Sequence, residues 1–299
     1  MSNTFEEAYN RVRSGGAGVY EQKRGLIDVR GNEAVQFLDG LITNDVETLE
    51  DGGQMPAAFP NAQGRLLAVV RVLRQGDRFL FETEEATREK VFQNLFRFTF
   101  AGDFFVEDLS DKYRYFEVFQ SEPPTVAGGL TFGDRSPWGI FAPLNEAEQF
   151  VQRLATSGAV EIADDLYETL RVENGIPLYG IDMDETTIVP EIALDGLISY
   201  KKGCYIGQEI IARIHFRGHV AKQLTGLVLE TGATAPKLLP GTELTTENGK
   251  NAGRVTSVAF SPMRGEIALA FVRYDFLASG TELLAGETRV AVADLPFVS

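Results

Sequence analysis

The segment from Ser199 to Val220 reads SYKKGCYIGQEIIARIHFRGHV. It holds the only cysteine of the chain, Cys204, and both histidines, His215 and His219. Glycines and charged residues flank the thiol on both sides. Binding and catalytic residues lie on such loops more often than in the packed core of a protein. The segment is therefore the first candidate for a functional site.

The residues around Cys204 predict an exposed thiol in its ionised form. Lys201 and Lys202 favour the thiolate electrostatically, and Gly207 lets the backbone turn into a helix whose N-terminus has the same effect. In the first turn of that helix, we expect the Glu209 carboxylate to accept hydrogen bonds from backbone N–H groups. The buried face of the helix is predicted to carry Ile210, Ile211 and Ile214.

Other interpretations of Cys204 stay open at this point. The thiol can be a small buried hydrophobe, the usual fate of an isolated cysteine. It can be the nucleophile of a hydrolase with His215 as base and Asp195 or Glu209 as orienting group, although the spacing matches no nucleophile elbow. It can bind a metal with His215 and His219, but a second close pair of ligands is missing. It can also supply one ligand to an iron–sulfur cluster shared with a partner.

The composition disfavours several classes of function. The chain has 299 residues with a net charge of −15, which opposes direct binding to nucleic acid. No apolar run reaches the ~20 residues that a membrane-spanning helix needs. A single cysteine and an acidic N-terminal segment without an apolar signal core predict a cytoplasmic protein.

One local excess of positive charge lies in and next to the quoted stretch. It comprises Lys201, Lys202, Arg213, Arg217 and Lys222. In an acidic protein such a cluster can attract an anionic ligand, and it can equally be a solvated surface.

Periodicity and turn signals predict an α+β protein. Residues 4–13 have the pattern of a helix and Gly25–Gly31 that of a strand, after which Asn32 is predicted to cap a second helix. Two further runs, Arg65–Arg74 and Arg78–Glu82, have the pattern of a hairpin. Hairpins with intervening helices are typical of α+β folds rather than of strict βαβ repeats.

The pattern of the sequence changes after Val220. Short β-like runs separated by turn signals follow one another to the end of the chain, which predicts a small β-barrel. We therefore divide the chain into a larger region at 1–216 and a barrel at 217–299. The cysteine stretch lies just before this boundary, where ligand sites often form.

A second candidate group is Glu191, which follows a proline in a mostly apolar neighbourhood. A buried carboxylate must be paired or hydrogen-bonded. Glu191 can form a salt bridge with an arginine, or it can accept two N–H bonds from the edge of an aminopyrimidine ring. The segment before it is a helix that is predicted to stop at Gly175 and an irregular loop that contains Pro177 and Gly180.

At these residues the chain resembles the folate-binding YgfZ-type proteins, which are relatives of a mitochondrial iron–sulfur assembly factor and of the glycine cleavage T protein. The motif K-G-C-[YF]-x-G-Q-E is present as Lys202 to Glu209, followed by Arg213. The resemblance extends over nearly the whole chain. It includes FLDGLITNDVETL, RVENGIPLYGID with the later Pro-Glu, and GRVTSVAFSPMRGEIALAFVR.

The resemblance implies a T-protein-like cloverleaf of three modules, with two ferredoxin-like or mixed α+β modules and a C-terminal β-barrel around a central folate-sized hole. It implies that tetrahydrofolate binds there, with Glu191 on the pterin edge and Tyr167 at a position where some relatives carry a tryptophan. Arg213 is assigned to the same folate site. Cys204 is the expected functional thiol and Lys202 the expected holder of its thiolate. The motif loop is expected to be shaped or fixed by Gly203, Tyr205, Gly207, Gln208 and Glu209.

The chain departs from the aminomethyltransferases in the strand after Gly64. Those enzymes carry an acidic pair there, and the matching positions are Ala68 and Val69. Without a carboxylate, proton handling at the folate nitrogen loses its expected group, so we do not expect glycine-cleavage chemistry.

The family resemblance implies an accessory protein that supports the assembly or repair of iron–sulfur enzymes, including enzymes that modify tRNA. Its implied partners are tetrahydrofolate, iron–sulfur assembly proteins or client enzymes, and a shared or transient cluster, without direct contact with nucleic acid or membrane. The alternatives are a folate-dependent aminomethyl or one-carbon transferase and an interaction scaffold in which Cys204 is part of the core.

Overall fold

The computed structural model describes residues 3–100, 102–229 and 238–298. The chain forms two compact units. The first comprises Met1–Asn61, Leu67–Leu166 and Gly196–Ile206, and the second comprises Ala62–Leu66, Tyr167–Asp195 and Gly207–Ser299. The division into 1–216 and 217–299 stays a prediction.

Within its described residues, the first unit contains two five-stranded sheets and four α-helices. In chain order its elements are α1 (Asn3–Arg13), β1 (Gly18–Gln22), β2 (Arg24–Arg30), α2 (Ala34–Leu41), β3 (Gln54–Pro60), β4 (Leu66–Gln75), β5 (Arg78–Glu84), α3 (Glu85–Phe96), β6 (Phe105–Asp108), β7 (Tyr113–Phe119), β8 (Leu130–Phe132), β9 (Trp138–Pro143), α4 (Leu144–Thr156) and β10 (Val160–Glu161). The strand orders are β10-β1-β7-β9-β8 and β3-β4-β5-β2-β6. One core lies where α2 and α3 cover the second sheet, and another joins the two sheets around Leu26, Leu80 and Phe141.

A buried cluster of charges connects the two sheets of the first unit. The Glu82 carboxylate on β5 is 1% exposed and accepts hydrogen bonds from Arg24 on β2 and from Arg71 Nε on β4, the latter at 2.6 Å. Arg71 also donates to the hydroxyl of Tyr115 on β7, at 3.0 Å. Burial alone would raise the pKa of Glu82, but the two guanidinium groups outweigh it and lower that pKa to about 2.

The second unit is built on a closed six-stranded barrel. Its elements are α5 (Asp164–Glu173), which begins at the end of the first unit, α6 (Gln208–Arg217), β11 (Lys222–Leu229), β12 (Glu243–Thr245), β13 (Asn251–Ser261), β14 (Gly265–Arg273), β15 (Glu282–Ala285) and β16 (Thr288–Ala293). The strands pair in the order β11-β14-β13-β12-β15-β16, and β16 returns to β11. Alternating apolar residues on β13, β14 and β16 fill the barrel interior.

A second buried charge pair fixes the irregular loop after α5 to the barrel. Arg171 Nη1 donates to Asp182 Oδ2 at 2.9 Å, and both side chains are at most 1% exposed. Arg171 Nη2 also donates to Ser257 Oγ on β13 at 2.7 Å, and that hydroxyl donates to Asp182 Oδ1 at 2.6 Å. Because each buried charge has several partners, the loop is held in one conformation.

Most predicted elements are confirmed, and one cap is wrong. The helix at 4–13, the hairpin of β4 and β5 and the run of barrel strands are present. Asn32 does not cap α2, since the residue before the helix is Glu33. Asn32 instead bonds through its backbone N–H, at 3.1 Å, and its side-chain amide to Asp103, which lies 71 residues away in the sequence. Within the described residues, no helix combines the length and apolarity that a membrane span requires.

The charge cluster at Glu82 predicts a specific dependence of stability on pH. The lowered pKa means that its contribution is complete above about pH 4.5 and is lost as the pH falls towards 2, by roughly 3 kcal/mol over that interval. In Glu82→Gln we expect the free energy of unfolding to lose this dependence on pH between about 4.5 and 2. We also expect a lower free energy of unfolding at neutral pH, because two guanidinium groups lose their partner. Urea unfolding over a pH series measures both effects. The exposed Glu122→Gln variant is the control, and equal slopes in the two variants would show that the cluster is not the source.

Candidate functional site

The cysteine loop, defined here as Gly196–Ile206, is fixed to the end of α2 and the turn that follows it. Asn44 Nδ2 donates to the carbonyl of Gly196 at 2.8 Å, and Thr43 Oγ1 donates to the carbonyl of Leu197 at 2.6 Å. The backbone adds bonds from Ser199 N–H to the Thr43 carbonyl and from Ile206 N–H to the Gly40 carbonyl, at 2.9 and 3.1 Å. The segment FLDGLITND and the cysteine motif therefore form one structural site.

Lys202 is the centre of this attachment. Its side chain is fully buried, and its ammonium donates to the carbonyl oxygens of Asp39, Ile42 and Asn44 at 2.7, 3.0 and 2.7 Å. Nζ also lies 2.9 Å from Asp39 Oδ1 and 5.3 Å from the ring centre of Tyr205. A cation at a helix C-terminus satisfies carbonyls that have no partner inside the helix. The observed contacts of Lys202 are thus those of an anchor for the loop.

Cys204 lies on the outside of the attached loop. Its side chain is exposed, which overturns the interpretation of the residue as a buried hydrophobe. Among the described residues, no group of three histidine, cysteine, aspartate or glutamate side chains is arranged to hold a metal ion. The thiol is therefore accessible to a reagent, a ligand or a partner.

Two tyrosines belong to the loop, Tyr200, which is half-buried, and Tyr205. Tyr205 is buried, and burial, with a smaller effect of Tyr200, raises its pKa to about 12. Burial also raises the pKa of Tyr200. Both rings are therefore neutral phenols at physiological pH, and the Tyr205 ring gives the Lys202 ammonium an aromatic face.

The two glycines of the motif differ in what they require. Gly207 has φ of 81°, in the left-handed region, and it precedes the first residue of α6, so the predicted turn is present. Gly203 does not have a positive φ, and a β-carbon there would meet only Asp39 Oδ2, at 3.6 Å. The backbone conformation demands glycine at 207 but not at 203.

The prediction that Glu209 caps α6 is wrong. Its side chain is 92% exposed and forms an ion pair with Arg213, one turn along the helix, at 3.8 Å. Such exposed pairs contribute only ~0.5 kcal/mol or less. Of the predicted apolar face, Ile211 is buried and Ile210 and Ile214 are half-buried. Gln208, the first residue of the helix, is half-buried as well.

Glu191 belongs to the second unit and is buried in a short 3-10 helix, Val189–Ile192. Its Oε2 accepts a hydrogen bond from the Ile188 N–H at 3.1 Å. Burial raises the pKa of Glu191, and the Ile188 N–H, Lys222 and Arg65 oppose this shift. The alternative of a salt bridge with an arginine is not realised within the described residues, since Arg65 Nη1 donates to the Thr186 carbonyl at 2.8 Å.

The remaining predicted residues are placed as follows. Tyr167 is buried on α5. Arg213 is largely exposed on α6, in the second unit. Ala68 is fully buried and Val69 half-buried on β4, so the two positions at which the resemblance led us to look for an acidic pair are apolar. Lys202 is buried and therefore cannot belong to a surface patch of positive charge.

Sequence reasoning missed Asp39, Thr43 and Asn44. These residues hold the cysteine loop, yet they lie about 160 positions before it in the sequence. The available signal was the polar triplet Thr-Asn-Asp directly after an apolar helix, which by itself predicts only a capped turn.

Comparisons with known proteins agree with the barrel and with the family resemblance. Residues 222–298 match the family described as the glycine cleavage T-protein C-terminal barrel domain. The chain is 30% identical over 281 residues to the iron-sulfur cluster assembly factor IBA57 homolog, mitochondrial, of Mycosarcoma maydis, with 83% of this chain and 68% of that protein covered. This chain belongs to the IBA57 family. The resemblance inferred from the sequence is thereby confirmed.

Other relatives place this IBA57-family protein in the wider T-protein superfamily. It is 28% identical over 265 residues to the tRNA-modifying protein YgfZ of Serratia proteamaculans, covering 78% of this chain and 77% of that one. It is 27% identical over 314 residues to an aminomethyltransferase of Rubrobacter xylanophilus, covering 94% and 83%. The aminomethyltransferase T structure from Bartonella henselae superposes with a TM-score of 0.86 at 22% identity, over 98% of this chain and 89% of that one. The T-protein fold is thus confirmed.

The two motif glycines give a matched test of the loop geometry. Because Gly207 adopts a left-handed conformation, we expect Gly207→Ala to lower the free energy of unfolding by about 1–2 kcal/mol. Gly203→Ala, in the same motif, is expected to change it by less than ~0.5 kcal/mol. Urea unfolding of the two variants and the wild type measures the difference. Equal losses at both positions would contradict this account of the turn.

Proposed function

We propose that the protein is a tetrahydrofolate-binding accessory factor that supports assembly or repair of iron–sulfur enzymes, including enzymes that modify tRNA. It acts through the thiol of Cys204. The observation that carries this proposal is the exposed Cys204 on a loop anchored by a fully buried lysine, in a member of the IBA57 family. The names of the relatives, an iron-sulfur cluster assembly factor and a tRNA-modifying protein, support the same role.

The chemistry of Glu191 fits a folate. One carboxylate oxygen, Oε2, accepts the backbone N–H of Ile188, and burial raises the pKa of the group. A buried carboxylate in this state can accept N–H donors from the aminopyrimidine edge of a pterin. Tyr167 and Arg213 complete the proposed folate-contacting group. Tetrahydrofolate would supply one-carbon or redox chemistry when bound, and the protein residues would bind and orient it.

The thiol is the proposed point of contact with a cluster or a client enzyme. A single cysteine cannot hold an iron–sulfur cluster alone, so Cys204 would supply one ligand of a shared or transient cluster. The partners are therefore iron–sulfur assembly proteins or client enzymes, and the link to tRNA is through those enzymes because a net charge of −15 opposes contact with phosphate. A cytoplasmic location stays a prediction, since the Mycosarcoma maydis relative is named as mitochondrial.

A folate-dependent aminomethyl or one-carbon transferase is the competing function, and the likeness to aminomethyltransferases supports it. The apolar Ala68 and Val69 argue against it, because the resemblance implies an acidic pair at these positions in a transferase and neither residue can handle a proton. Turnover of an aminomethyl or methyl donor by the purified protein would establish the transferase. Lack of turnover with both aminomethyl and methyl donors would exclude the transferase.

Calorimetric titration with tetrahydrofolate tests the proposed ligand site. We expect binding by the wild type and a roughly 10–100-fold weaker affinity in Glu191→Gln, because a charge-assisted hydrogen bond is lost. The exposed Glu287→Gln variant of the same unit is the control for the loss of one negative charge and should bind as the wild type does. Equal affinities in all three proteins would exclude Glu191 from the site, and no heat of binding in the wild type would overturn the folate proposal.

Complementation tests the proposed role of the thiol. We expect Cys204→Ser to fold normally but to fail to restore iron–sulfur enzyme activity in a strain that lacks its own YgfZ-type protein. Because the residue is exposed, its replacement removes chemistry with little effect on packing. Thermal unfolding of the purified variant checks the folding. Full restoration of enzyme activity by Cys204→Ser would show that the thiol has no role.

A further inference from the structure

A pocket in the second unit lies between the irregular loop after α5 and the outside of the barrel. Its volume is about 340 Å³, and it is lined by residues of that loop between 181 and 187 and by residues of β11 to β14. Glu191, Tyr167 and Arg213, the residues proposed to bind folate, are not among the described residues that line it. The pocket is large enough for a small metabolite, and the proposed function does not use it.

Three cations reach this pocket from neighbouring strands: Lys222 on β11, Arg273 on β14 and Arg254 on β13. Val272 lies in the barrel core, so its neighbours Phe271 and Arg273 face outward. Lys222 is directly opposite Arg273 in the pair of β11 with β14, and Arg254 is opposite Phe271 in the pair of β13 with β14. The three cationic side chains therefore leave the barrel on one outer face.

Within the described residues, none of these three cations has a carboxylate in an ion pair. By contrast, Arg289 on β16 of the same barrel has Nη2 at 3.1 Å from Glu247 Oε1. Lys222 and Arg273 are like charges directly opposite each other, with β-carbons about 5 Å apart, and such pairs are destabilising. An anion held between the two would replace this repulsion by attraction.

The donors of the pocket are arranged for an oxyanion. Arg273 Nε donates to Asn251 Oδ1 at 3.1 Å, which orients the guanidinium. Its two terminal amino groups and the Asn251 amide nitrogen form no other side-chain hydrogen bond among the described residues. A guanidinium fork matches two oxygens of a carboxylate or a phosphate group, so the site has a directional donor as well as positive charge.

The carboxylates that line the pocket do not cancel its positive charge. Asp182 is neutralised by Arg171. Asp184 Oδ1 accepts a backbone N–H and a hydroxyl of its own loop at 2.7 and 2.6 Å, and Glu243 lies opposite Arg254 on the next strand. Three cations against these two remaining carboxylates leave one positive charge, in a protein whose net charge is −15.

We propose that this pocket binds a small metabolite through an oxyanion, a carboxylate or a phosphate group. Arg273 and Lys222 hold the oxygens, Asn251 donates a further hydrogen bond, and the Phe271 ring, with its centre 4.4 Å from Lys222 Nζ, gives the site an apolar wall. Lys222 is the member of the basic cluster noted in the sequence that lines the pocket. The site goes beyond the proposed function, because it requires neither the thiol nor folate.

Calorimetric titration of the full chain with inorganic phosphate and, separately, with glutarate tests this site, at an ionic strength kept constant with NaCl. We expect binding of at least one probe, and the tighter one identifies the group that the pocket prefers. Arg273→Gln should weaken the affinity about 10-fold or more and Lys222→Gln about 3–10-fold, because charge-assisted hydrogen bonds are lost. Arg273→Lys keeps the charge without the fork and should also bind more weakly than the wild type.

The matched control is Arg264→Gln, which removes an exposed arginine of the same unit outside the pocket. It should bind both probes as the wild type does. Thermal unfolding checks that each variant folds, and Lys222→Gln carries the test if Arg273→Gln does not fold. The proposal is overturned by a wild type that binds neither probe, by equal weakening in Arg264→Gln, or by full affinity in Arg273→Lys, since the last two outcomes indicate diffuse charge rather than a site.

A second titration of the probes, in the presence of saturating tetrahydrofolate, separates this site from the proposed folate site. We expect the affinities for phosphate and glutarate to be unchanged. Displacement of the probes by tetrahydrofolate, whose glutamate tail carries carboxylates, would make the pocket part of the folate site and overturn the inference. A wild type that binds the probes but not tetrahydrofolate would refute the folate proposal alone and leave this one standing.

Discussion

A single ammonium group holds the cysteine loop in place. Lys202 brings three backbone carbonyls at the end of α2 together with the Asp39 carboxylate, and it does so with a fully buried side chain. A buried cation is tolerated only when its hydrogens and its charge are both satisfied. This requirement explains why the lysine of the motif accompanies the FLDGLITND segment: each supplies what the other would otherwise lack.

Buried ion pairs recur at the points where segments distant in sequence meet. Glu82 with its two arginines connects the sheets of the first unit, and Arg171 with Asp182 fixes the loop after α5 to the barrel. These pairs are directional, so they define one arrangement where apolar packing alone would tolerate several. In a protein with net charge −15, several arginine and lysine side chains are therefore buried in ion pairs rather than exposed on the surface.

Local signals in the sequence were sufficient for most elements and insufficient for contacts over long sequence distances. The exposure of Cys204 and the turn at Gly207 followed from the glycines and charges beside them. The strand β3 was not predicted because its sequence, QMPAAFP, contains two prolines, which an edge strand tolerates. The cap at Asn32 and the role of Glu209 were misassigned because each side chain found a partner, Asp103 or Arg213, that local rules do not weigh.

The closure of the barrel has a consequence for how this protein can associate with others. Each described strand of the barrel pairs with a neighbour on both sides. These strands therefore offer no free row of backbone N–H and C=O groups to an incoming strand. Free edges belong to the open sheets of the first unit, and Thr43 already occupies part of β3 through its backbone and its hydroxyl. The outer edge of β6 is thus one of the few places where the fold permits main-chain recruitment of another polypeptide.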